Sequence, residues 1–203
     1  MARPREFDEA EVLDSALKVF WAKGYEATSL ADIEEATGLG RASLYAAFSD
    51  KEGLFTKVLE RFDRRYDGLD AILASGPTVR AGFERLFDEW FKLNCTGDGP
   101  RGCLMQLAAQ TGGGDLPKVK ALIGEATART EGSFRAALDR AKASGELPPG
   151  ANTKMLARYV AVGMQGLSSA ARAGLGKRDL RPIAARLVAS TFADVDHAAA
   201  EAE

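Results

Sequence analysis

The sequence predicts an all-α protein with about nine helices. Alanine, leucine, lysine, arginine and glutamate recur at helical spacings, whereas valine and threonine nowhere form the alternating pattern of strands. Only seven prolines interrupt the 203 residues. A hydrophobic share of 46% supplies enough apolar material for a buried core.

A first amphipathic helix is predicted over residues 9–23, where apolar residues recur at the i, i+3, i+4 spacing of one stripe. Gly24 follows and suits the left-handed conformation that ends many helices. Ser29 and Asp32 then resemble a capping box, which is typical of a helix start. They predict a second, short helix that runs to Thr37.

Glycines separate this second helix from a third. The break Gly38-Leu39-Gly40 supplies one glycine to close a helix and another that leaves the chain free to turn. The third helix is predicted over residues 41–48. Ser49 and Glu52 form a second capping box, which predicts a fourth helix ending near Tyr66.

Five further helices are predicted beyond residue 67, and the first of them, residues 78–94, is unusually aromatic. Breaks rich in glycine and proline separate the others. Their ranges are residues 104–111, 116–144, 153–173 and 179–195. The predicted organisation is a domain of residues 8–66, a larger domain of residues 67–195, a flexible arm of residues 1–7 and a tail of residues 196–203.

The composition argues against several classes of protein. No stretch reaches the roughly 18 to 20 unbroken apolar residues that span a bilayer, and the first residues lack the apolar core of a signal peptide, so we expect a cytoplasmic protein. Cys95, Cys103 and His197 are too few for a structural zinc site, and no metal is expected. With no histidine base near a nucleophile and no phosphate-binding glycine loop, we expect neither enzymatic activity nor a cofactor.

The third predicted helix has an unusually bare surface. On a helical wheel Leu44 and Phe48 point into the domain, whereas the opposite arc carries small side chains. That arc is too bare to bury another helix and too lightly charged for an ordinary solvated face. In a helix-turn-helix the second helix enters the major groove of DNA, where small side chains permit a close approach.

Donor and acceptor chemistry suggests a role for each side chain there. Arg41 suits either a bidentate bond to guanine or a phosphate, and Ser43 suits a base or a phosphate. The methyl groups of alanine suit thymine, while tyrosine and lysine reach phosphate oxygens. The predicted DNA-binding residues are Thr28, Ser29, Arg41, Ala42, Ser43, Tyr45, Ala46 and Lys51. Arg3 and Arg5 on the arm are further candidates for contact with the backbone or the minor groove.

Residues 8–66 resemble the N-terminal domain of the TetR family of bacterial transcriptional regulators, over the stretch ALKVFWAKGYEATSLADIEEATGLGRASLYAAFSDKEGLF. The family has a Gly-(Phe/Tyr)-x-x-(Thr/Ser) step, a glycine-hydrophobic break and a Leu-Tyr-x-x-Phe-x-x-Lys run. The matching residues are Gly24, Tyr25 and Thr28, then Gly38 and Leu39, then Leu44, Tyr45, Phe48 and Lys51. Gly40 and the Ala46-Ala47 pair depart from the family pattern, which affects the expected base preference.

The resemblance implies a C-terminal domain that binds a small-molecule effector and forms a homodimer through its last two helices. The ligand-binding residues predicted on this basis are Phe83, Phe87, Trp90, Phe91, Leu104, Met105, Gln106, Phe134, Tyr159 and Met164. The predicted dimerisation residues are Val160, Gly163, Leu167, Ala171, Ile183, Leu187, Val188 and Phe192. Packing within one protomer is the alternative for both sets.

The stretch RGCLMQLAAQ is similar to a C-terminal subgroup in which Gly-Cys-Leu opens a short helix. Cys103 lies near that helix start and near Arg101, which makes it a redox candidate, with a small buried hydrophobe as the alternative. The expected protein is a homodimeric repressor released from a palindromic double-stranded DNA operator by a small-molecule effector. The alternative is a small-molecule-binding or cysteine-based redox-responsive helical protein without a DNA role. Residues 1–66 favour that alternative, with ten Lys and Arg against thirteen Asp and Glu.

Overall fold

The computed structural model describes residues 7–95 and 99–193, and every regular element in these ranges is helical. The ten α-helices are α1 (Glu9–Lys23), α2 (Leu30–Thr37), α3 (Arg41–Phe48), α4 (Lys51–Asp63), α5 (Leu69–Ala74), α6 (Val79–Cys95), α7 (Leu104–Gln110), α8 (Pro117–Ala143), α9 (Thr153–Arg172) and α10 (Lys177–Phe192). Two 3₁₀ helices accompany them, Arg64–Tyr66 and Gly112–Asp115. No helix in the described ranges is long and apolar enough to cross a membrane.

All nine predicted helices are present, and the structure contains one further helix, α5, that was not predicted. Arg3 and Arg5 of the predicted arm, His197 and the predicted tail lie outside the described residues. One predicted cap is wrong: Ser49 does not cap α4, because it has a φ of 69° and its N–H closes α3 on the carbonyl of Tyr45. Asp50 caps α4 instead, accepting from the N–H of Gly53 at 2.7 Å.

The helices form two compact units. The first comprises Met1–Arg65 with Leu104–Gly124, and the second Tyr66–Cys103 with Glu125–Glu203. The boundary at residue 65 lies close to the predicted one. Residues 104–124, however, group with the first unit, so α8 supplies its first turns to one unit and the rest to the other.

The first unit packs α1, α2, α3, α4 and α7 around aromatic side chains. The ring of Phe55 in α4 lies 4.8 Å from the ring of Phe20 and 4.9 Å from the ring of Tyr25. The 3₁₀ helix Gly112–Asp115 packs against the same rings: a Cβ on Gly113 would lie 3.0 Å from Phe55 and 3.2 Å from Tyr25. A side chain at this position would require the neighbouring rings to move by a few tenths of an ångström.

The second unit packs α5, α6, α9, α10 and most of α8. The aromatic face of α6 forms its centre, with Phe83 at 5.6 Å from Phe134 of α8 and 5.9 Å from Phe192 of α10. Gly163 brings α9 and α10 together, since a Cβ there would lie 2.4 Å from Leu187.

Candidate nucleic-acid interface

The α2–α3 pair has the geometry of a helix-turn-helix. Ser29 caps α2 in a reciprocal capping box with Asp32: its hydroxyl accepts from the N–H of Asp32 at 3.1 Å, and the Asp32 carboxylate accepts from the N–H of Ser29 at 2.8 Å. Gly38 ends α2 in the left-handed conformation, with a φ of 69°. The Thr37 hydroxyl accepts from the N–H of Leu39 at 3.3 Å. These bonds fix the turn from which α3 starts.

The outer face of α3 is as bare in the structure as on the helical wheel. Leu44 and Phe48 are buried in the first unit. Five of the predicted DNA-binding residues lie together on the exposed side of this helix: Arg41, Ala42, Ser43, Tyr45 and Ala46. The helix carries no carboxylate. The exposed side of α3 therefore carries mostly small side chains, is polar at one end and has no negative charge.

Thr28 requires a correction. Its side chain is fully buried, and its hydroxyl donates to the carbonyl oxygen of Gly24 at 2.6 Å. This hydroxyl cannot reach a phosphate, because the turn between α1 and α2 folds it inward. Its bond joins the end of α1 to the start of α2, and Ser29 beside it stays exposed.

Lys51 is the first residue of α4. Its Nζ lies 4.4 Å from the ring centroid of Tyr25. Burial lowers the pKa of Lys51, while the carboxylates of Glu26 and Asp32 raise it. A cation held over an aromatic ring beside a helix N-terminus is suited to a phosphate group.

The structure accounts for many of the carboxylates that make residues 1–66 acidic. Asp8, Asp32 and Asp50 cap α1, α2 and α4. Asp32 also accepts from Lys23 at 2.6 Å, and this bond, with those from Ser29, lowers the pKa of Asp32 to about 2. Asp14 forms two hydrogen bonds of 2.6 Å with Arg61. These charges stabilise helix ends and ion pairs, and none of them lies on α3.

Arg41 has an acidic neighbour across the turn. Its Nε lies 3.8 Å from a carboxylate oxygen of Glu34 in α2, and its side chain is 59% exposed. At this distance in water the ion pair is weak. The guanidinium therefore remains available to a base or a phosphate.

The predicted ligand-binding residues do not form one group. Five aromatic residues, together with the half-buried Met164, belong to the core of the second unit: Phe83, Phe87, Trp90, Phe91 and Phe134. Leu104, Met105 and Gln106 belong to the first unit. Tyr159 is 43% exposed on α9, away from the buried core, and lines the groove between α9 and α10.

The predicted dimerisation residues also divide into two sets. Six of them are buried within the protomer: Val160, Leu167, Ala171, Leu187, Val188 and Phe192. These six pack inside one protomer, because the small face of α9 packs against α10, and their part in a dimer interface stays a prediction. Ile183 is 53% exposed, and Gly163 lines a shallow groove beside it.

An exposed apolar face on α9 was not predicted from the sequence. Met155, Tyr159 and Val162 follow one another at i, i+4 and i+7, and Val162 is 57% exposed. With Ile183 of α10 they form an apolar face, which we call the α9–α10 face. The helical spacing was visible in the sequence, but α9 is apolar on two sides and the pattern does not say which side is buried.

Cys103 is half-buried in the turn before α7, and its N–H donates to the hydroxyl of Ser168 at 2.7 Å. It does not form a disulfide with Cys95. Burial raises the pKa of the Cys95 thiol, although Arg101 and Lys177 act in the opposite direction. The redox role of Cys103 stays a prediction.

Comparison with known proteins gives consistent matches over nearly the whole chain. The family model "Bacterial regulatory proteins, tetR family" matches residues 12–58, and "Tetracyclin repressor-like, C-terminal domain" matches residues 82–185. The HTH-type transcriptional repressor ComR of Escherichia coli (strain K12) is 35% identical over 184 residues, which cover 90% of this chain and 88% of ComR. An uncharacterized HTH-type transcriptional regulator of Bacillus subtilis (strain 168), YezE, is 30% identical over 79% of this chain and 84% of its own.

One of the similar solved structures contains operator DNA. A cysteine mutant of the TetR family transcriptional regulator CifR, complexed with 26-base-pair operator DNA, superposes with a TM-score of 0.83 at 33% identity. The match covers 92% of this chain and 98% of CifR.

Proposed function

Because the chain belongs to the TetR family of bacterial transcriptional regulators, we propose that it is a homodimeric repressor that a small-molecule effector releases from a palindromic operator. The observation that carries this proposal is the exposed face of α3. It presents Arg41, Ser43 and Tyr45 around two small alanines, on a helix whose start is fixed by the Gly38 turn. A helix of this kind fits the major groove.

The contacts proposed on DNA follow from where each group lies. Arg41 at the start of α3 reads a guanine or holds a phosphate, and Ser43 lies beside it. Tyr45 and Lys51 hold phosphates, and Ser29 contributes from the start of α2. Ala42 and Ala46 allow the helix axis to approach the base edges.

The α9–α10 face supports the homodimer. It exposes Met155, Tyr159, Val162 and Ile183, and a groove of about 370 Å³ between the two helices is lined by Tyr159, Gly163, Leu167, Pro182, Ile183, Arg186 and Leu187. Two copies related by a two-fold axis bury this apolar surface against each other. The pairing also brings together two α3 helices, which read successive major grooves when they are about 34 to 36 Å apart.

The effector is proposed to bind in the second unit and to favour a conformer in which the two α3 helices no longer match that spacing. A coupling of roughly 1 to 3 kcal/mol relaxes operator affinity about 5- to 150-fold. The proposed protein acts in the cytoplasm, and it has no catalytic role. Its relatives named above are regulators rather than enzymes.

A gel-shift titration with the DNA upstream of the protein's own gene, repeated across a salt series, tests the proposal. A dimeric repressor prefers a palindromic segment over scrambled DNA of equal length, and its affinity falls steeply with salt. The same affinity for the palindromic and the scrambled DNA at every salt concentration would refute the proposal.

A further inference from the structure

The last turn of α6 holds a polar side chain in apolar surroundings. Asn94 is only 2% exposed. It continues the face of α6 that carries Phe87, Trp90 and Phe91, which precede it by seven, four and three residues. The aromatic face of the second unit therefore ends in an amide.

Three hydrogen bonds fix the orientation of this residue. Its Nδ2 donates to the carbonyl oxygen of Trp90 at 2.9 Å and to the hydroxyl of Tyr66 at 3.4 Å. Its own carbonyl oxygen accepts from the N–H of Gly102 at 3.1 Å. Because a carbonyl can only accept, the contact with Trp90 identifies the nitrogen side of the amide.

The other side of the amide is an acceptor without a partner. Oδ1 of Asn94 is buried and has no hydrogen-bond partner among the described residues. Burial removes water from this oxygen and nothing in the described chain replaces it, which destabilises the folded protein. Leucine has a similar size and fits an aromatic face without this cost. The bonds of Nδ2 to Trp90 and Tyr66 hold the amide in place, and Oδ1 is left open to a donor from a bound group.

We propose that Oδ1 of Asn94 accepts a hydrogen bond from the effector, a neutral and largely apolar molecule with a hydroxyl or N–H donor. That this ligand is the effector rests on the proposed function, whereas the existence of the binding site does not. The aromatic face of Phe87, Trp90 and Phe91 suits the apolar part of such a molecule.

The charge of the ligand follows from the buried polar groups of the second unit. In the described part of the second unit these belong to Asn94, Thr153, Ser168 and Thr191, and none carries a charge. A cationic ligand would lose its hydration there without gaining a counter-ion, and a carboxylate would offer Oδ1 no donor. Since Asn94 is enclosed, binding also requires the end of α6 to repack, and this change links occupancy to conformation.

Equilibrium dialysis of the full chain with matched probes tests the inference. Phenol and anisole, 2-naphthol and 2-methoxynaphthalene, and 4-phenylphenol and 4-methoxybiphenyl differ within each pair only in the donor hydroxyl. We expect the hydroxyl compound of at least one pair to bind about three- to tenfold more tightly than its methyl ether. Equal binding within every pair, or no binding of any hydroxyl compound, overturns the inference; this comparison needs no variant.

Two variants then locate the acceptor. Asn94→Leu removes Oδ1 and is expected to abolish the preference for the hydroxyl compound. Thr191→Val is the matched control, because Thr191 is also fully buried in the second unit but its hydroxyl already donates to Leu187 at 2.8 Å. A preference that survives in Asn94→Leu, or that Thr191→Val removes equally, overturns the assignment. Thermal unfolding of both variants confirms that they are folded.

Operator binding separates this inference from the proposed function. If the protein prefers the hydroxyl compound through Asn94 but does not bind the operator, the result supports the ligand site and refutes the proposed repressor function. If the protein binds the operator but binds each hydroxyl compound and its ether with equal affinity, the result supports the repressor function and refutes the ligand site.

Discussion

Single residues on the recognition surface differ in how firmly the fold holds them. Lys51 lies over the ring of Tyr25, which in turn packs on Phe55. Tyr45 and Arg41 project from α3 with little support. A held side chain loses less entropy on binding than a mobile one, so the proposed phosphate contact of Lys51 costs less entropy than those of Tyr45 and Arg41.

Tyr45→Phe and Lys51→Ala are expected to weaken binding of every DNA sequence, by about tenfold each, because they remove phosphate contacts rather than base contacts. Lys51→Ala should also reduce the slope of log affinity against log salt by about 0.9. Lys57→Ala is the control, since Lys57 is an exposed lysine of α4 that pairs with Glu60. Fluorescence anisotropy with specific and scrambled DNA measures these effects. Unaltered affinity in the first two variants would remove both residues from the interface.

Arg41→Lys distinguishes the two roles left open for Arg41. Lysine keeps the charge but not the bidentate fork, so a base-reading arginine loses about 1 to 3 kcal/mol of discrimination while the salt slope is kept. The measurement is the sequence preference of each protein across operator variants with single base-pair changes. An unchanged preference assigns Arg41 to the DNA backbone.

At the scale of elements, the sequence predicted α1 to α4 well because each has an end signal that only a few residue types supply. The capping box of Ser29 with Asp32 and the left-handed Gly38 are both present. The predicted range of α3 is that of the structure. By contrast, α5 has six residues between Gly68 and Ser75, too few for helical periodicity to show.

Other features depend on packing that no local pattern encodes. The side of α9 that faces the core, the inward rotation of Thr28 and the grouping of residues 104–124 with the first unit all depend on distant partners. The burial of the Asn94 oxygen also depends on distant residues. A single asparagine after an aromatic helix gives no local sign of its burial.

Gly163→Ala is expected to lower the stability of the protein by about 1 to 3 kcal/mol, because the added Cβ would meet Leu187 where α9 approaches α10. Gly132→Ala in α8 is the control: no atom lies within 4 Å of its Cβ position, so alanine should stabilise the helix by about 0.5 to 1 kcal/mol. Urea unfolding followed by circular dichroism measures both changes. Equal effects of the two substitutions would contradict the close approach.

For the whole molecule, the proposed assembly relies on an apolar face that one protomer leaves exposed. The α9–α10 face carries its large side chains on two antiparallel neighbours that are joined by the Gly163 contact. DNA binding by two α3 helices of the first unit then depends on residues of the second unit.

Val162→Asp is expected to convert the dimer to a monomer, since a carboxylate at the centre of an apolar interface loses its hydration without a partner. Operator affinity should fall with it, because one α3 reads only half a palindrome. Ala71→Glu places a charge on the exposed surface of α5 and is the control. Sedimentation equilibrium gives the masses, and a dimeric Val162→Asp protein would place the interface elsewhere.

The carboxylates that cap α1, α2 and α4 have a consequence beyond the helices they stabilise. They add negative charge to the unit that carries α3, and this charge weakens the attraction to DNA of random sequence, where only phosphates attract. A bacterial genome offers about a million or more such competing positions. A DNA-binding protein with this charge then spends less time at such positions, and more of its copies remain for a specific site.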